Sequence, residues 1–263
     1  MEAELTPLIL LLVMLVSLLA SLLTFYSGFG LGTLLLPVFA LWFPLKEAVI
    51  MTAVVHLFNN LFKLVLVNKF IDRQILIRFG IPALVAAVLG SLCLQWISEI
   101  NIAYPVRIGP FHASLRVLNL ILGLSIIIFG ILEFFHFEKK SFGKRPLIWG
   151  GLLSGFFGGL SGHQGVLRSA FLLQYSLSKE VFIATGVAIA CVVDITRLTM
   201  YSTDLSLVTA QSSYVLVAAS LTAAIVGAIV GNQFLKKVDI DLIKKITATG
   251  IILMGLAILT GII

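Results

Sequence analysis

The sequence predicts an all-α, polytopic integral membrane protein made of two repeated halves, on three observations. First, 60% of its 263 residues are apolar and only 11% are charged, whereas a soluble domain carries about 25% charged residues. Second, uncharged apolar segments recur along the chain, most of them near the ~20 residues that a helix needs to cross a ~30 Å hydrocarbon core. Third, residue patterns of the first half return in the second half.

The composition excludes a soluble enzyme and a nucleic-acid binder, because so few polar residues cannot cover a water-facing surface. The formal net charge of +6 is instead typical of a membrane protein whose basic loops set its orientation. Cys93 and Cys191 both lie inside apolar segments and form no metal-binding motif. We therefore expect no cofactor and no metal.

Ten apolar segments divide into two sets of five. The second and seventh segments are too short to span a membrane, and each follows a glycine cluster, which interrupts a helix. We therefore expect four long helices and one short, broken half-helix in each half. The predicted organisation is a first membrane repeat over 1–137, a basic cytoplasmic linker over 138–146 and a second membrane repeat over 147–263.

The halves correspond at a nearly constant offset. At an offset of 133 residues, Gly32 aligns with Gly165 and Thr52 with Thr185. At an offset of 134 residues, the polar pair Asn60 and Lys63 aligns with Asp194 and Arg197. Internal duplication with a broken helix in each half is typical of secondary transporters.

The distribution of basic residues predicts the topology. With eight spans, the basic residues divide almost evenly between the two faces. If the glycine breaks instead reverse the chain, twelve basic residues share one face, and only Lys46, Arg107 and Arg116 lie on the other. Because cytoplasmic loops are enriched in Lys and Arg, this distribution favours an odd number of crossings per half. It predicts an inverted repeat with both termini outside and the basic loops in the cytoplasm.

Ionisable side chains inside apolar segments usually face the interior of a helix bundle. His56, Asn59 or Asn60, and Lys63 share one helix face, because they follow one another at i, i+3 or i+4, and i+7. Asp194 and Arg197 share a face in the corresponding helix. We expect these residues to bind an anion, or to gate or couple transport by relaying a proton through His56 and Asp194. The alternatives are a local ion pair, or Lys63 and Arg197 extending to the membrane interface.

The segment from Gly158 to Arg168 is the most informative. A half-helix that starts near Gln164 points its positive end at the preceding glycine break. Arg168, one turn into that helix, can hold an oxyanion through two parallel hydrogen bonds. Helix packing through Gly151, Gly155 and Gly159 explains the glycines, but it leaves the polar side chains unexplained. The predicted anion site contains Ser161, Gly162, His163, Gln164, Gly165 and Arg168.

Two segments, Gly28-Phe-Gly-Leu-Gly-Thr-Leu-Leu-Leu-Pro37 and Gly158-Gly-Leu-Ser-Gly-His-Gln-Gly-Val-Leu-Arg-Ser-Ala-Phe171, resemble the duplicated signatures of the TauE/SafE sulfite exporter family. The resemblance spans the whole chain and implies a secondary carrier of sulfite, sulfonates and related organic anions. In the second half it falls on the residues just named. In the first half it implies a role in substrate binding for Gly30, Gly32 and Pro37, and we expect Thr33 and Asn60 to approach the site from that half.

Two other functions compete with the carrier. Gly159-Leu-Ser161-Gly162 matches the motif around a rhomboid protease serine, but a serine nucleophile needs a general base, and no histidine follows His163. An anion channel would need a continuous pore lined by rings of like groups.

The sequence has no GxxxxGK[ST] motif for ATP, so an ion gradient, the membrane potential or the substrate gradient must supply the energy. We expect an anion carrier in the cell membrane, and no enzyme. Its partners are a small anionic substrate, the lipid bilayer and a coupling ion, either a proton or sodium. A homo-oligomer is compatible with the sequence, and nucleic acid is not expected.

Overall fold

The computed structural model describes residues 6–27, 31–100, 102–108, 111–134, 146–204, 211–234 and 240–262. These residues form helices for most of their length, together with one two-stranded sheet. The helices of the first half are α1 (Pro7–Ser27), α2 (Leu31–Ala40), α3 (Leu45–Val67), α4 (Arg73–Ser98) and α5 (Val117–Phe134), with a short 3-10 turn at Asn68–Phe70 after α3. Those of the second half are α6 (Pro146–Ser161), α7 (Gly165–Leu172), α8 (Lys179–Met200), α9 (Gln211–Phe234) and α10 (Ile240–Leu259).

Four helical segments in the described part of the chain are long and apolar enough to cross a membrane. They are α3 with its 3-10 turn, α4, α8 and residues 213–231 of α9. Shorter apolar stretches lie in α1, α2, α5, α6 and α10. Large apolar side chains such as Leu8, Val65 and Trp96 are more than 60% exposed, as expected for a surface that faces lipid. The prediction of a polytopic membrane protein is confirmed.

Polar caps fix where two of the long helices begin. The carboxylate of Asp72 accepts hydrogen bonds from the backbone N–H groups of Gln74 and Ile75 at the start of α4. The hydroxyl of Ser178 accepts one from the N–H of Val181 at the start of α8. Such caps satisfy N–H groups that have no partner within the helix.

The two predicted half-helices are present, with ten residues in α2 and eight in α7. Gly162, between α6 and α7, has φ +83°, a left-handed conformation that glycine adopts without steric cost. Helix α7 then returns along α6, because the side chain of Phe171 near its end contacts Gly150 near the start of α6. Helix α2 likewise packs against both α1 and α3.

The helices pair in a pattern that treats the two halves alike. Helix α4 packs against α6, and α1 packs against α9; α3 packs against α8, and α5 against α10. Suppose that α1 to α5 correspond in order to α6 to α10. Exchanging the halves then converts the α4–α6 pair into the α9–α1 pair, and it maps the α3–α8 and α5–α10 pairs onto themselves. Two halves related by a twofold axis would give this pattern, which supports the repeat seen in the sequence.

Glycine brings α6 very close to α4. A Cβ atom at Gly155 would lie 2.6 Å from the Cα of Ala83, and Gly151 and Gly159 face the α4 backbone in the same way. In the corresponding pair, Gly227 of α9 lies against the backbone of Leu18 in α1. Close helix packing therefore accounts for the glycine spacing in α6.

The all-α expectation is wrong for one segment. Strands β1 (Ala103–Ile108) and β2 (Phe111–Arg116) form an antiparallel hairpin between α4 and α5. Gly109-Pro110 separates two stretches that contain several aromatic and β-branched residues, a signal for a turn between strands. This segment is too short and too polar to form a span, so the pattern of apolar segments does not predict its structure.

The α4–α6 contact predicts that alanine at Gly155 destabilises the protein, whereas alanine at Gly250 does not. Gly155→Ala should destabilise the protein by about 1–3 kcal/mol, because its new Cβ overlaps the α4 backbone. Gly250→Ala is the matched control, because nothing lies within 4 Å of a Cβ at that position, and alanine favours the helix. Thermal unfolding in detergent should show a lower Tm only for Gly155→Ala. Equal Tm values for the two variants would contradict the close packing.

Candidate functional site

The carboxylate of Asp194 in α8 is the centre of a buried polar cluster, and the residue is 0% exposed. Its Oδ2 lies 2.6 Å from the Nδ1 of His56 in α3 and accepts a hydrogen bond from the Nδ2 of Asn60 at 3.2 Å. One carboxylate oxygen thus joins α8 to the polar face predicted for α3.

The second oxygen of Asp194 joins α8 to the glycine break. Its Oδ1 accepts a hydrogen bond from the Nε2 of Gln164 at 3.1 Å. It also accepts one from the Nε of Arg197 at 3.0 Å, and the Nη2 of Arg197 lies 2.9 Å away. The carboxylate therefore holds together α3, α8 and the α6–α7 break, which are distant in sequence.

Arg168 and Lys63 extend the cluster. The Nη1 of Arg168 donates to the Oε1 of Gln164 at 3.3 Å, and Arg168 interacts electrostatically with both Asp194 and Lys63. With the Asn59 amide oriented to satisfy its neighbours, the Asn59 oxygen accepts from the Nζ of Lys63 at 3.2 Å. A chain of polar contacts thus runs from α3 through the break to α8.

Neither Lys63 nor Arg197 extends to the membrane interface. Lys63 is 4% exposed and Arg197 is 0% exposed, so both basic groups lie in the interior of the bundle. The alternative in which they reach toward water along apolar surface is therefore wrong. The alternative of a local ion pair describes Arg197, whose guanidinium contacts Asp194.

The starts of the two half-helices meet at this cluster. A Cβ atom at Gly32, in the first turn of α2, would lie 3.5 Å from the His56 ring and 3.7 Å from the carbonyl oxygen of Gly162. Thr33 is buried beside it, whereas Gly30 lies outside the described residues. Gly165 begins α7 as predicted, with Gln164 as its N-cap residue.

His163 has a different environment from the other predicted ligands. Its Nδ1 lies 2.9 Å from the Oγ of Ser161, which donates to the carbonyl oxygen of Phe157. The His163 ring also stacks on Phe129, with 5.6 Å between the ring centroids. His163 is thus held beside the break by Ser161 and Phe129, and it interacts electrostatically with Arg197.

This geometry also bears on the protease alternative. Ser161 and His163 are in hydrogen-bond contact, but Ser161 is only 1% exposed and its hydroxyl donates to the backbone. The buried carboxylate that could orient a catalytic histidine, Asp194, contacts His56 instead.

Among the described residues, no group of three or more His, Cys, Asp and Glu residues could hold a metal ion.

The site is not symmetric, although the helices around it are paired. At the offset of 133 residues, Gln164 and Arg168 of α7 correspond to Leu31 and Leu35 of α2. The polar side chains of the break therefore come from the second half. The described part of the first-half break contributes close backbone at Gly32, while α3 supplies His56, Asn60 and Lys63.

Two supporting residues were not predicted from the sequence. Ser21 lies in hydrogen-bond contact with the Asn59 amide at 3.1 Å. Tyr201, at the end of α8, donates to the carbonyl oxygen of Gly159 in α6. A serine or a tyrosine in an apolar helix gives no signal comparable to that of an ionisable side chain.

The cluster predicts that replacing Asp194 lowers the stability of the protein much more than replacing Asp204, although both aspartates are ion-paired. Asp194→Asn should destabilise the protein by about 3–5 kcal/mol, because it leaves the buried Arg197 without its counter-charge. Asp204→Asn should cost about 0–1 kcal/mol, because Asp204 pairs with Lys46 at a partly exposed site. Thermal unfolding of both variants in detergent measures the difference. Equal losses would show that Asp194 is not the structural centre.

The chain matches a known protein family. A search of curated proteins and a search of solved structures each returned no match. The family model described as "Sulfite exporter TauE/SafE" matches residues 13–258. That match includes, in whole or in part, each of the helices α1 to α10 in the described part of the chain, and it includes every residue of the polar cluster. The chain therefore belongs to the sulfite exporter TauE/SafE family, a family of membrane transporters.

Proposed function

We propose that the protein is a secondary-active carrier that moves small oxyanions, such as sulfite, sulfonates or related organic anions, across the cell membrane by alternating access. The observation that carries this proposal is the concentration of basic groups in the buried cluster. Lys63, Arg168 and Arg197 are each less than 5% exposed, and Arg168 and Arg197 both interact with the carboxylate of Asp194. Removing an anion from water is costly unless positive groups and hydrogen-bond donors receive it, and this cluster contains both.

The anion site lies where the half-helix α7 begins. Its first N–H groups and its dipole favour negative charge, and Arg168 stands one turn further along. The Arg168 guanidinium can bind a planar pair of oxygens in a bidentate manner. Gln164 links Arg168 to Asp194, so a ligand at Arg168 would alter the contacts that hold α3 and α8 together.

An inverted repeat supplies the two states that a carrier needs. The half-helix α2 runs from the centre toward Lys46 and Asp204, which pair with each other. The half-helix α7 runs from the centre toward Phe79 and Leu147, with which Phe171 and Tyr175 pack. Half-helices that begin together and end at opposite ends of the molecule support an inverted arrangement of repeats 1–137 and 147–263, joined by the basic linker.

His56 and Asp194 provide a route for coupling. Their 2.6 Å contact places an imidazole, whose ring nitrogens can accept or release a proton, against the carboxylate that organises the site. A proton on His56 would strengthen its contact with Asp194, and a neutral His56 would weaken it. This geometry favours a proton over sodium as the coupling ion. A channel is the second candidate, and it would be recognised by ionic current without countertransport.

Arg168 provides the most direct test of the anion site. A charge-assisted hydrogen bond is worth about 1.5–3 kcal/mol, or roughly one to two decades of affinity. Arg168→Gln should weaken sulfite or sulfonate binding by that factor, and Arg168→Lys should weaken it less, because lysine keeps the charge but loses the planar fork. Calorimetry with sulfite, thiosulfate, sulfonates and carboxylates measures the effect. The exposed Lys245 provides the matched control, Lys245→Gln.

Unchanged affinity in a monodisperse Arg168→Gln protein would exclude Arg168 as a ligand. If Arg168→Gln fails to fold but Arg168→Lys folds, the affinity of the lysine variant decides, because a purely structural role predicts parental affinity for the folded protein.

The topology is tested by labelling single cysteines in a background where Cys93 and Cys191 are replaced by alanine. Lys69 and Lys245 belong to the twelve basic residues assigned to the cytoplasm, and Arg116 belongs to the opposite face. Cysteines at Lys69 and Lys245 should react with an impermeant maleimide only from the cytoplasmic side, and a cysteine at Arg116 only from outside. Labelling of Lys69 and Lys245 from opposite sides would refute the inverted topology.

A further inference from the structure

A second concave site lies at the end of the molecule that carries the β-hairpin. A cavity of about 400 Å³ opens there between the start of α3, the start of α5, the hairpin and the chain after α10. Its lining includes the basic residues Lys46 and Arg116 and the apolar residues Phe43, Leu45 and Leu118. We refer to it as the hairpin cavity. It is separate from the buried cluster around Asp194, and none of its lining residues belongs to that cluster.

The basic residues of the hairpin cavity are not explained by membrane insertion. Most Lys and Arg residues lie in the loops assigned to the opposite face, as expected for cytoplasmic loops. Only Lys46, Arg107 and Arg116 are assigned to the face that carries the hairpin. The structure describes the side chains of Lys46 and Arg116, and both line the hairpin cavity. A face that is otherwise poor in basic groups thus concentrates them where a ligand could bind.

Helix ends of both polarities border the cavity. Helix α3 begins at Leu45 after Pro44, which provides no side-chain cap, and α5 begins at Val117, directly after Arg116. Ser98 at the end of α4 and Gly261 after α10 also line the cavity. Helix N-termini favour an anion and helix C-termini oppose it, so the attraction for an anion comes from Lys46 and Arg116.

Lys46 forms an ion pair with Asp204 that a ligand can break. Its Nζ lies 3.0 Å from the Oδ1 of Asp204, and both side chains are partly exposed, at 24% and 20%. Exposed pairs of this kind are worth only about 0–1 kcal/mol, so an incoming anion can compete with Asp204 for the ammonium group. Arg116 is exposed at the end of β2, and its guanidinium can approach the same ligand.

We propose that the hairpin cavity is a peripheral binding site for an organic anion that carries a short apolar body, such as an aryl or alkyl sulfonate or carboxylate. The anionic group lies between Lys46 and Arg116, and the apolar body packs against Phe43, Leu45 and Leu118. The volume falls in the range of small-molecule sites, about 300–1,000 Å³, and is large for an inorganic ion alone. An apolar wall beside two basic groups selects an amphiphilic anion over sulfite.

The test uses a cysteine that reports on this location alone. Ser114, which lines the cavity and is exposed, is replaced by cysteine after Cys93 and Cys191 have been replaced by alanine. Benzenesulfonate and benzoate should slow the reaction of this cysteine with a maleimide in the full-length protein. A cysteine at Lys245, at the opposite end, should not be protected. Sulfite itself reacts with maleimides, so methanesulfonate serves as the small anion and should protect less.

Variants of the lining residues test whether protection by benzenesulfonate depends on Lys46, Arg116 and Phe43. Lys46→Gln combined with Arg116→Gln should raise the benzenesulfonate concentration needed for half-protection at least tenfold. Asp204→Asn should lower it, because the Lys46 ammonium is released from its carboxylate. Phe43→Ala should remove the advantage of benzenesulfonate over methanesulfonate. Arg116→Gln alone, at an exposed position, keeps the test informative if the Lys46 variant does not fold.

The central anion site is controlled separately. Arg168→Gln should leave protection at Ser114→Cys unchanged, even though it weakens binding at the buried cluster. Failure of the carrier proposal would therefore not affect this result. The proposal is overturned if benzenesulfonate gives no protection, or if the half-protecting concentration is unchanged in the double variant or, where that variant does not fold, in Arg116→Gln. It is also overturned if a monodisperse Arg168→Gln protein loses the protection.

Discussion

The contacts of the Asp194 carboxylate are the interaction on which the rest of the structure depends. Its two oxygens engage His56 and Asn60 of α3, Gln164 at the break, and Arg197 one turn further along α8. Removing a carboxylate from water is costly unless its oxygens are well satisfied. Here they are satisfied only when α3, α8 and the α6–α7 break meet, so the charge specifies how these elements are arranged.

Glycine permits this arrangement to be compact. Gly162 adopts a left-handed conformation and lies against the Arg197 guanidinium, with only 2.6 Å between the position of a Cβ and Nη1. Along α6, the glycines that face α4 allow the two helix backbones to touch, and Gly227 does the same for α9 against α1. Close backbone approach gives van der Waals contact and supports helix association in lipid, where burial of apolar side chains adds little.

The paired helices and the asymmetric site serve different purposes. Two repeats of this kind can adopt two related packings, which the proposed alternating access requires. Gln164 and Arg168 both lie at the second-half break, so the polar groups of the break come from one half. The hairpin between α4 and α5 is a further departure from symmetry. It supplies one wall of the cavity at the end where basic residues are otherwise scarce.

The sequence by itself determined the membrane class, the short helices after the glycine clusters and the family resemblance. These follow from local composition, from the length of apolar segments and from glycine, all of which can be read in order along the chain. It also identified the polar residues of α3 and α8, because ionisable groups in apolar helices are conspicuous.

Only the tertiary structure decided which of these polar residues share a site. It showed that Asp194 contacts both Arg197 and His56, that Lys63 and Arg197 are buried, and that His163 contacts Ser161 and Phe129. The His56–Asp194 and Phe129–His163 contacts join distant parts of the chain, and helical periodicity fixes a face but not the helix that covers it. The hairpin was missed for a related reason, since two short strands are stable only when they pair. The cavity beside it exists only because the ends of several elements meet there.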